Sequence, residues 1–329
     1  MASSRPPRSG RALDEDDVRS RANPRGTRPR SKQRPAHEDA EAGTVFSVDR
    51  GRFGVLVDDI EVNAMRAREL GRTPLVVGDH VGVVGDLSGA TDTLARIVRL
   101  DERETVLRRT ADDSDPHERV IVANAEQLVI VSALADPEPS FGLIDRCLVA
   151  ALAAGIEPLL CLTKSDLASP DPVLTQYAPL SVPALVTRRG DSLDELRTHL
   201  AGKVSVFVGH SGVGKSTLIN ALVPTAYRAT GTVSAVGKGR HTSSSVVALR
   251  LPGGGWVIDT PGVRSFGLAH VGADDLLWAF PDLEDGATQC LSGCEHLAEQ
   301  AGCHLDAWVR EGHATPARLA AFRQLLVSR

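Results

Sequence analysis

The chain has no run of about eighteen apolar residues, the length that a membrane-crossing helix needs. Its longest candidate, 143–162, is interrupted by Asp145, Arg146 and Glu157, so no membrane span is expected. The N-terminus also lacks the apolar stretch of a secretory signal, which makes the expected location cytoplasmic. Cysteine is sparse, at five in 329 residues. Cys147 and Cys161 lie in apolar runs and read as small buried hydrophobes. Cys290, Cys294 and Cys303 crowd together instead, which in a cytosolic chain is metal spacing and not a disulfide framework.

What the chain does have is enough apolar material for two or three cores, with 42% hydrophobic residues. Net charge is −5, from 37 basic and 42 acidic residues, but the basic ones are unevenly spread. Residues 19–34 hold seven Arg and Lys and no acid, among Pro, Gly and Ser. Such a tail is expected to be disordered. It reads equally as a solubilising extension or as an arm along nucleic-acid phosphates.

Past this tail (residues 1–42), short alternating stretches with turn residues between them run from 43 to 112, as in "GTVFSVDRGRFGVLVD" and "PLVVGDHVGVVGD". Their spacing predicts a small β-barrel of the OB-fold kind. From 113 to 270 the period lengthens. Apolar strands at 126–134, 157–163, 182–187, 203–209 and 255–260 alternate with helical patterns at 141–154, 192–200 and 215–223. That alternation predicts a parallel α/β sheet, whose ligands bind at the carboxyl ends of its strands. Residues 271–329 read as a helical, Cys-bearing tailpiece.

The segment "GHSGVGKST" comprises Gly209, His210, Ser211, Gly212, Val213, Gly214, Lys215, Ser216 and Thr217, after one strand and before one helix. This is the context that a phosphate-binding loop requires. Its backbone N–H groups and the helix N-terminus would converge on a β-phosphate, Lys215 would bridge β- and γ-phosphates, and Ser216 would ligate Mg²⁺. About 45 residues later "VIDTPG" delivers Asp259 to a strand end, to hold a water on Mg²⁺, with the Gly262 N–H free for the γ-phosphate. Between them "GTVSAVGKGRHTSSS" has the composition of a switch loop. Thr242 is its first choice for the metal-sensing hydroxyl, with Thr232 and Ser243 as rivals.

The segment "LLCLTKSDL" ends a strand in Thr163, Lys164, Ser165 and Asp166. An Asp there could accept from guanine N1–H and its exocyclic amine, a donor pair that adenine lacks. Lys164 could lay its stem over the base. Thr163 stands where guanine-binding loops usually carry Asn. After the next strand, the Thr187 and Arg188 backbone could meet the guanine carbonyl. This base loop precedes the phosphate loop, the reverse of the ordinary order, as in a rotated chain. Such permutation is tolerated where termini lie close at the surface.

Taken together, "VIVANAEQLVIV", "TKSD", "GHSGVGKSTLIN", "GKGRHTSSS", "DTPGVRSFGL" and the last Cys/His cluster resemble the RsgA (YjeQ) family of circularly permuted, ribosome-associated GTPases. The resemblance runs from about residue 43 to the C-terminus. It implies an OB-fold, a permuted GTPase domain with GTP/GDP and Mg²⁺, and a zinc domain, in that order. It further implies GTP hydrolysis stimulated by the small ribosomal subunit and its rRNA, late in that subunit's maturation, by a protein expected to be a monomer. Alternatives in other classes are a nucleotide-gated RNA-binding module and a P-loop ATPase.

Where many GTPases carry a water-orienting Gln this chain has Val263, so intrinsic hydrolysis should be slow. His241 is a candidate for the missing role, against an ordinary exposed histidine. Cys290, Cys294, His296 and Cys303 form a Cys₃His set suited to one structural Zn²⁺, with His304 competing as the fourth ligand. The family's outer gaps each differ from these by one residue, in opposite directions. RNA contacts are expected from the tail, Arg96, Arg99, Arg103, Arg108 and Arg109, against an ordinary solvated face.

Overall fold

Alternating apolar residues close a five-stranded barrel in the computed structural model, which describes residues 37, 39–71, 73–109, 118–223, 246–260, 266, 268, 270–298, 300 and 302–328. Its strands are β1 (Glu41–Asp49), β2 (Arg52–Val57), β3 (Ile60–Arg66), β4 (His80–Val84) and β5 (Ala95–Leu100). They pair in the order β1-β2-β3-β5-β4, and β4 pairs back onto β1. Only β3 and β5 run parallel within this set. Closure removes the free edges that would otherwise invite pairing with other chains. Val45, Val55, Val62, Val81 and Ile97 fill the interior. This is the barrel expected from the sequence.

One expectation about the barrel is corrected. Arg103, placed by sequence among residues facing RNA, turns inward to a fully buried carboxylate, Asp79. Its Nε and Nη2 donate to the two Asp79 oxygens at 2.7 and 2.9 Å, and Nη2 also reaches the Pro74 carbonyl at 2.8 Å. The Val76 N–H adds a further bond to Asp79 Oδ2 at 2.7 Å. A buried carboxylate needs such saturation, and Arg supplies the matching fork. Arg99 is exposed but pairs with Asp101.

A hairpin of β6 (Val106–Arg109) and β7 (Arg119–Ala123) leads from the barrel to the second sheet. This sheet comprises β8 (Gln127–Ala133), β9 (Glu157–Thr163), β10 (Ala184–Val186), β11 (Val204–Val208), β12 (Val247–Arg250) and β13 (Trp256–Asp259). Their order is β10-β9-β8-β11-β13-β12. Five strands are parallel as expected, but β12, absent from the sequence reading, is antiparallel to β13. On its other side β12 pairs with β1 at Ser47–Val247, joining barrel and sheet. Arg250 of β12 also meets Asp59 of the barrel at 2.7 Å.

Helices cover both faces, as buried parallel strands require. On one lies α1 (Phe141–Ala153), whose Ile144, Cys147, Leu148 and Ala151 recur at i, i+3, i+4 and i+7 and are all buried. A short helix, α2 (Asp171–Tyr177), follows β9 and was not legible in the sequence. The opposite face is covered by α3 (Asp194–Leu200) and α4 (Lys215–Leu222). Among the described residues four further helices follow, at Asp274–Leu277, Pro281–Ala287, Leu305–Arg310 and Pro316–Ser328. The last shares a core with α1 through Leu319, Phe322, Leu325 and Leu326. None of the described helices is long and apolar enough to cross a membrane.

Candidate functional site

The carboxyl ends of β9, β10 and β11 meet around one cavity of about 580 Å³. The loop after β9 contributes Thr163, Lys164 and Asp166, and the turn after β10 contributes Thr187 and Arg188. Gly212, Val213, Gly214 and Thr217 close it from the phosphate loop and the start of α4. Segments some 50 residues apart in sequence therefore line a single space, which the order of motifs alone could only suggest.

Local backbone chemistry fixes this arrangement. Gly209 ends β11 so close to β8 that a Cβ would run into the Val131 carbonyl oxygen. Gly214 caps α4 with φ +93, a conformation that glycine adopts without a Cβ penalty. Lys215 then points back across the loop and pairs with Asp259 Oδ1 from the end of β13. Both groups are largely sheltered, their side chains 11% and 29% exposed. Ser216 and Thr217 are exposed on the first turn of α4.

Thr163, the departure from the usual Asn, is buried, and its hydroxyl donates to the Val213 carbonyl at 2.6 Å. The base loop is thus tied directly to the phosphate loop. The hydroxyl engages the backbone of that loop and is not directed into the cavity as a free donor. Lys164 holds φ +60, and its ammonium bonds the carbonyl of Asp136, a residue not anticipated from sequence. Ser165 contributes through its backbone, its N–H donating to the Thr187 carbonyl at 3.3 Å. The Thr187 N–H in turn bonds the Leu162 carbonyl at 2.8 Å. Arg188 is steadied by Asp191, which accepts from Nε at 3.0 Å and from the backbone N–H at 3.1 Å. That hydrogen bond holds the Asp191 carboxyl below its usual range. Asp191 and Arg197 also line the cavity and were missed, although "RRGDS" directly after a strand is a turn signal.

His210 and Ser211 do not line this space. The His210 ring faces the Ser211 carbonyl at 3.1 Å, and it borders a second cavity of about 220 Å³ beside the start of α1. Thr242, His241 and Gly262 lie outside the described residues, as does the tail through residue 36.

The Cys/His set converges. Ligand atoms of Cys290, Cys294, His296 and Cys303 all lie within 4.8 Å of one another. His296 Nδ1 is 3.6 Å from Cys290 Sγ and 3.9 Å from Cys303 Sγ. Tetrahedral zinc with ordinary bond lengths would set such pairs about 3.6 Å apart, so the donor set fits. His296 is buried and held at φ +57, and burial pushes its imidazole pKa down, toward the neutral form that binds metal. His304 is not a member. Its backbone N–H donates to Cys290 Sγ at 3.2 Å, and its ring lies 6.5 Å from that of Trp308.

Comparison with known proteins gives these features a context. The sequence description of the RsgA GTPase matches residues 100–269. The small ribosomal subunit biogenesis GTPase RsgA of Pseudomonas aeruginosa is 37% identical, over 92% of each chain. Its namesake from Azotobacter vinelandii is 36% identical, again over 92% of both. Among solved structures, that of YloQ, a circularly permuted GTPase, is similar with TM-score 0.63 and 26% identity, covering 90% of this chain and 96% of its own. YjeQ from Thermotoga maritima gives TM-score 0.62 and 25% identity over 87% and 97%. With its rotated order of loops, its barrel and its likeness to these proteins along nearly the whole length, the chain belongs to the RsgA GTPase family.

Proposed function

We propose that the chain hydrolyses GTP to GDP and phosphate under stimulation by the small ribosomal subunit, late in that subunit's assembly, as a cytoplasmic monomer. The observation that carries this reading is the cavity shared by the 163–166 loop, the 187–188 turn and the phosphate loop. In this reading Asp166 accepts from the guanine N1–H and amine, while Lys164 packs its stem on the base. Thr187 and Arg188 present backbone to the guanine carbonyl. The N–H groups of 209–217 cradle the phosphates, and Lys215 leaves Asp259 to bridge the β- and γ-phosphates. Ser216, Asp259 and Thr242 would hold Mg²⁺, which supplies charge neutralisation at the transferred phosphoryl group. The Gly262 N–H meets the γ-phosphate and His241 positions water, Val263 being unable to do so.

We assign hydrolysis to 113–270 and subunit binding to the barrel (43–112) and the zinc-binding helices (271–329), with rRNA as the nucleic-acid partner. Cys290, Cys294, His296 and Cys303 hold one structural Zn²⁺ in this assignment. Four protein ligands would fill the tetrahedron, as expected of a closed, non-catalytic centre.

Base reading is tested by Asp166→Asn. Losing a charged acceptor for two guanine donors should cost about 2–3 kcal/mol, or about 30–150-fold in GDP affinity, and shift preference toward xanthine nucleotides. Unchanged base selectivity would reduce the loop to a surface turn. Thr163→Val keeps the volume but deletes the bond to Val213. GDP affinity should fall about 5-fold, with guanine still preferred over adenine. A changed base preference would mean that Thr163 contacts the base itself.

A further inference from the structure

The last helix, Pro316–Ser328, carries two adjacent residues that face different neighbours. Arg323 reaches the Cys/His centre. Its Nε donates to the His296 carbonyl at 3.1 Å, and its Nη2 lies 4.0 Å from Cys303 Sγ. The fork is closed by Asp306, which accepts from Nη1 and Nη2 at 2.8 and 2.7 Å. The Arg323 side chain is only 16% exposed. The ring of Phe322, one residue earlier, lies 6.3 Å from the His296 ring. Two consecutive side chains of this helix therefore frame the one ligand held in left-handed backbone.

Gln324 looks the other way. Its Nε2 donates to Asp145 Oδ2 of α1 at 2.7 Å, and its Oε1 accepts from Gln176 at 2.7 Å. Asp145 is 5% exposed, and its other oxygen accepts from the Tyr177 hydroxyl at 2.8 Å. Burial, reinforced by Asp145, pushes the Tyr177 phenol pKa far up, so it remains a donor. A buried carboxylate satisfied by neutral donors on two other helices is sensitive to losing either one. α1 itself starts beside the phosphate loop, where Ser140 and Ile144 share the smaller cavity with His210 and Val213. Arg318 adds a third tie, donating to the Pro179 carbonyl at 2.7 Å and stacking 4.5 Å from the Phe280 ring centroid.

We propose that Arg323 is a positioning residue for the Cys290–Cys294–His296–Cys303 centre, and that the Gln324–Asp145 bond beside it anchors it to the nucleotide-binding sheet. Arg323 fixes the His296 backbone and places a guanidinium beside the Cys303 sulfur. The helix's neighbouring face is locked onto α1 by the Gln324–Asp145 bond and by the core the two helices share. Metal retention is thus set partly from α1, a helix that supplies no ligand. This inference rests on the zinc reading given above.

The test follows zinc release from full-length, zinc-loaded protein to a chromogenic chelator, with GDP affinity and far-ultraviolet circular dichroism checked for each variant. Arg323→Gln should release zinc about 10–100-fold faster, the range for outer partners of metal ligands. Arg323→Lys keeps the charge but not the fork and should also release faster, which covers the case in which the glutamine variant folds poorly. Gln324→Ala touches no ligand, yet should accelerate release by about 5-fold or more. A merely structural role would lower GDP affinity in step with metal retention; positioning leaves GDP affinity at the parental value. Parental release rates in the two Arg323 variants would overturn the positioning role, and a parental rate in Gln324→Ala would overturn the anchor. If the parental protein holds no more zinc than Cys294→Ser, the zinc reading falls and this inference with it. Zinc held equally by all folded variants sinks the inference alone.

Discussion

Replacing Lys215 by alanine is expected to lower GTP turnover by about 10²–10³-fold, the usual consequence of deleting a preorganised charge at a reacting phosphoryl group. The expectation is sharpened by the pairing of the Lys215 ammonium with Asp259. Lys215 opens α4 just after the loop that follows β11, and Asp259 ends the adjacent parallel strand β13, in register with Phe207. In the proposed reading the γ-phosphate draws the ammonium away from that carboxylate. Alanine removes the attraction and also leaves Asp259 uncompensated beside a polyanion, so both losses act in the same direction. Phosphate release measured in a single turnover checks this. Turnover within a few-fold of the parental protein would mean that 209–217 is not the phosphate site.

Arg103→Ala is the largest expected effect on stability, about 3–5 kcal/mol, because it strands the fully buried Asp79 carboxylate without its partner. Natural domains are stable by only about 5–15 kcal/mol, so urea unfolding should show the loss clearly. Removing both charges with Asp79→Asn and Arg103→Met should be milder than the single change, since no unpaired ion then remains buried. If Arg103 instead served RNA from the surface, Arg103→Ala would leave the unfolding midpoint where it was.

These two residues also show what a linear reading can and cannot reach. The reading of Lys215 rests on neighbours within a few residues: a strand, glycines, a hydroxyl and a helix. Arg103 was misread because its meaning depends on Asp79, 24 positions away, and burial of an ion pair leaves no local pattern. Strands β8, β9 and β11 were legible from continuous apolar runs. β12 was not, being only four residues, of mixed burial, after a Gly- and Ser-rich stretch. The α2 helix buries only Val173 and Tyr177, too few for a period to register. At the candidate site, the residue types were readable but their joinery was not. The Thr163–Val213 bond spans 50 positions. The choice of His296 over His304 is made by backbone direction, one turning into the cluster and the other offering only its N–H.

The account stands most directly on one assay: turnover of GTP and of ATP by the full chain, each with and without purified small ribosomal subunits. The result expected is slow GTP hydrolysis alone, because Val263 replaces the usual Gln, a marked rise when small subunits are added, and no comparable ATP turnover in either condition. Equal turnover of ATP would contradict guanine reading by Asp166, and GTP turnover indifferent to small subunits would contradict the assignment to their assembly.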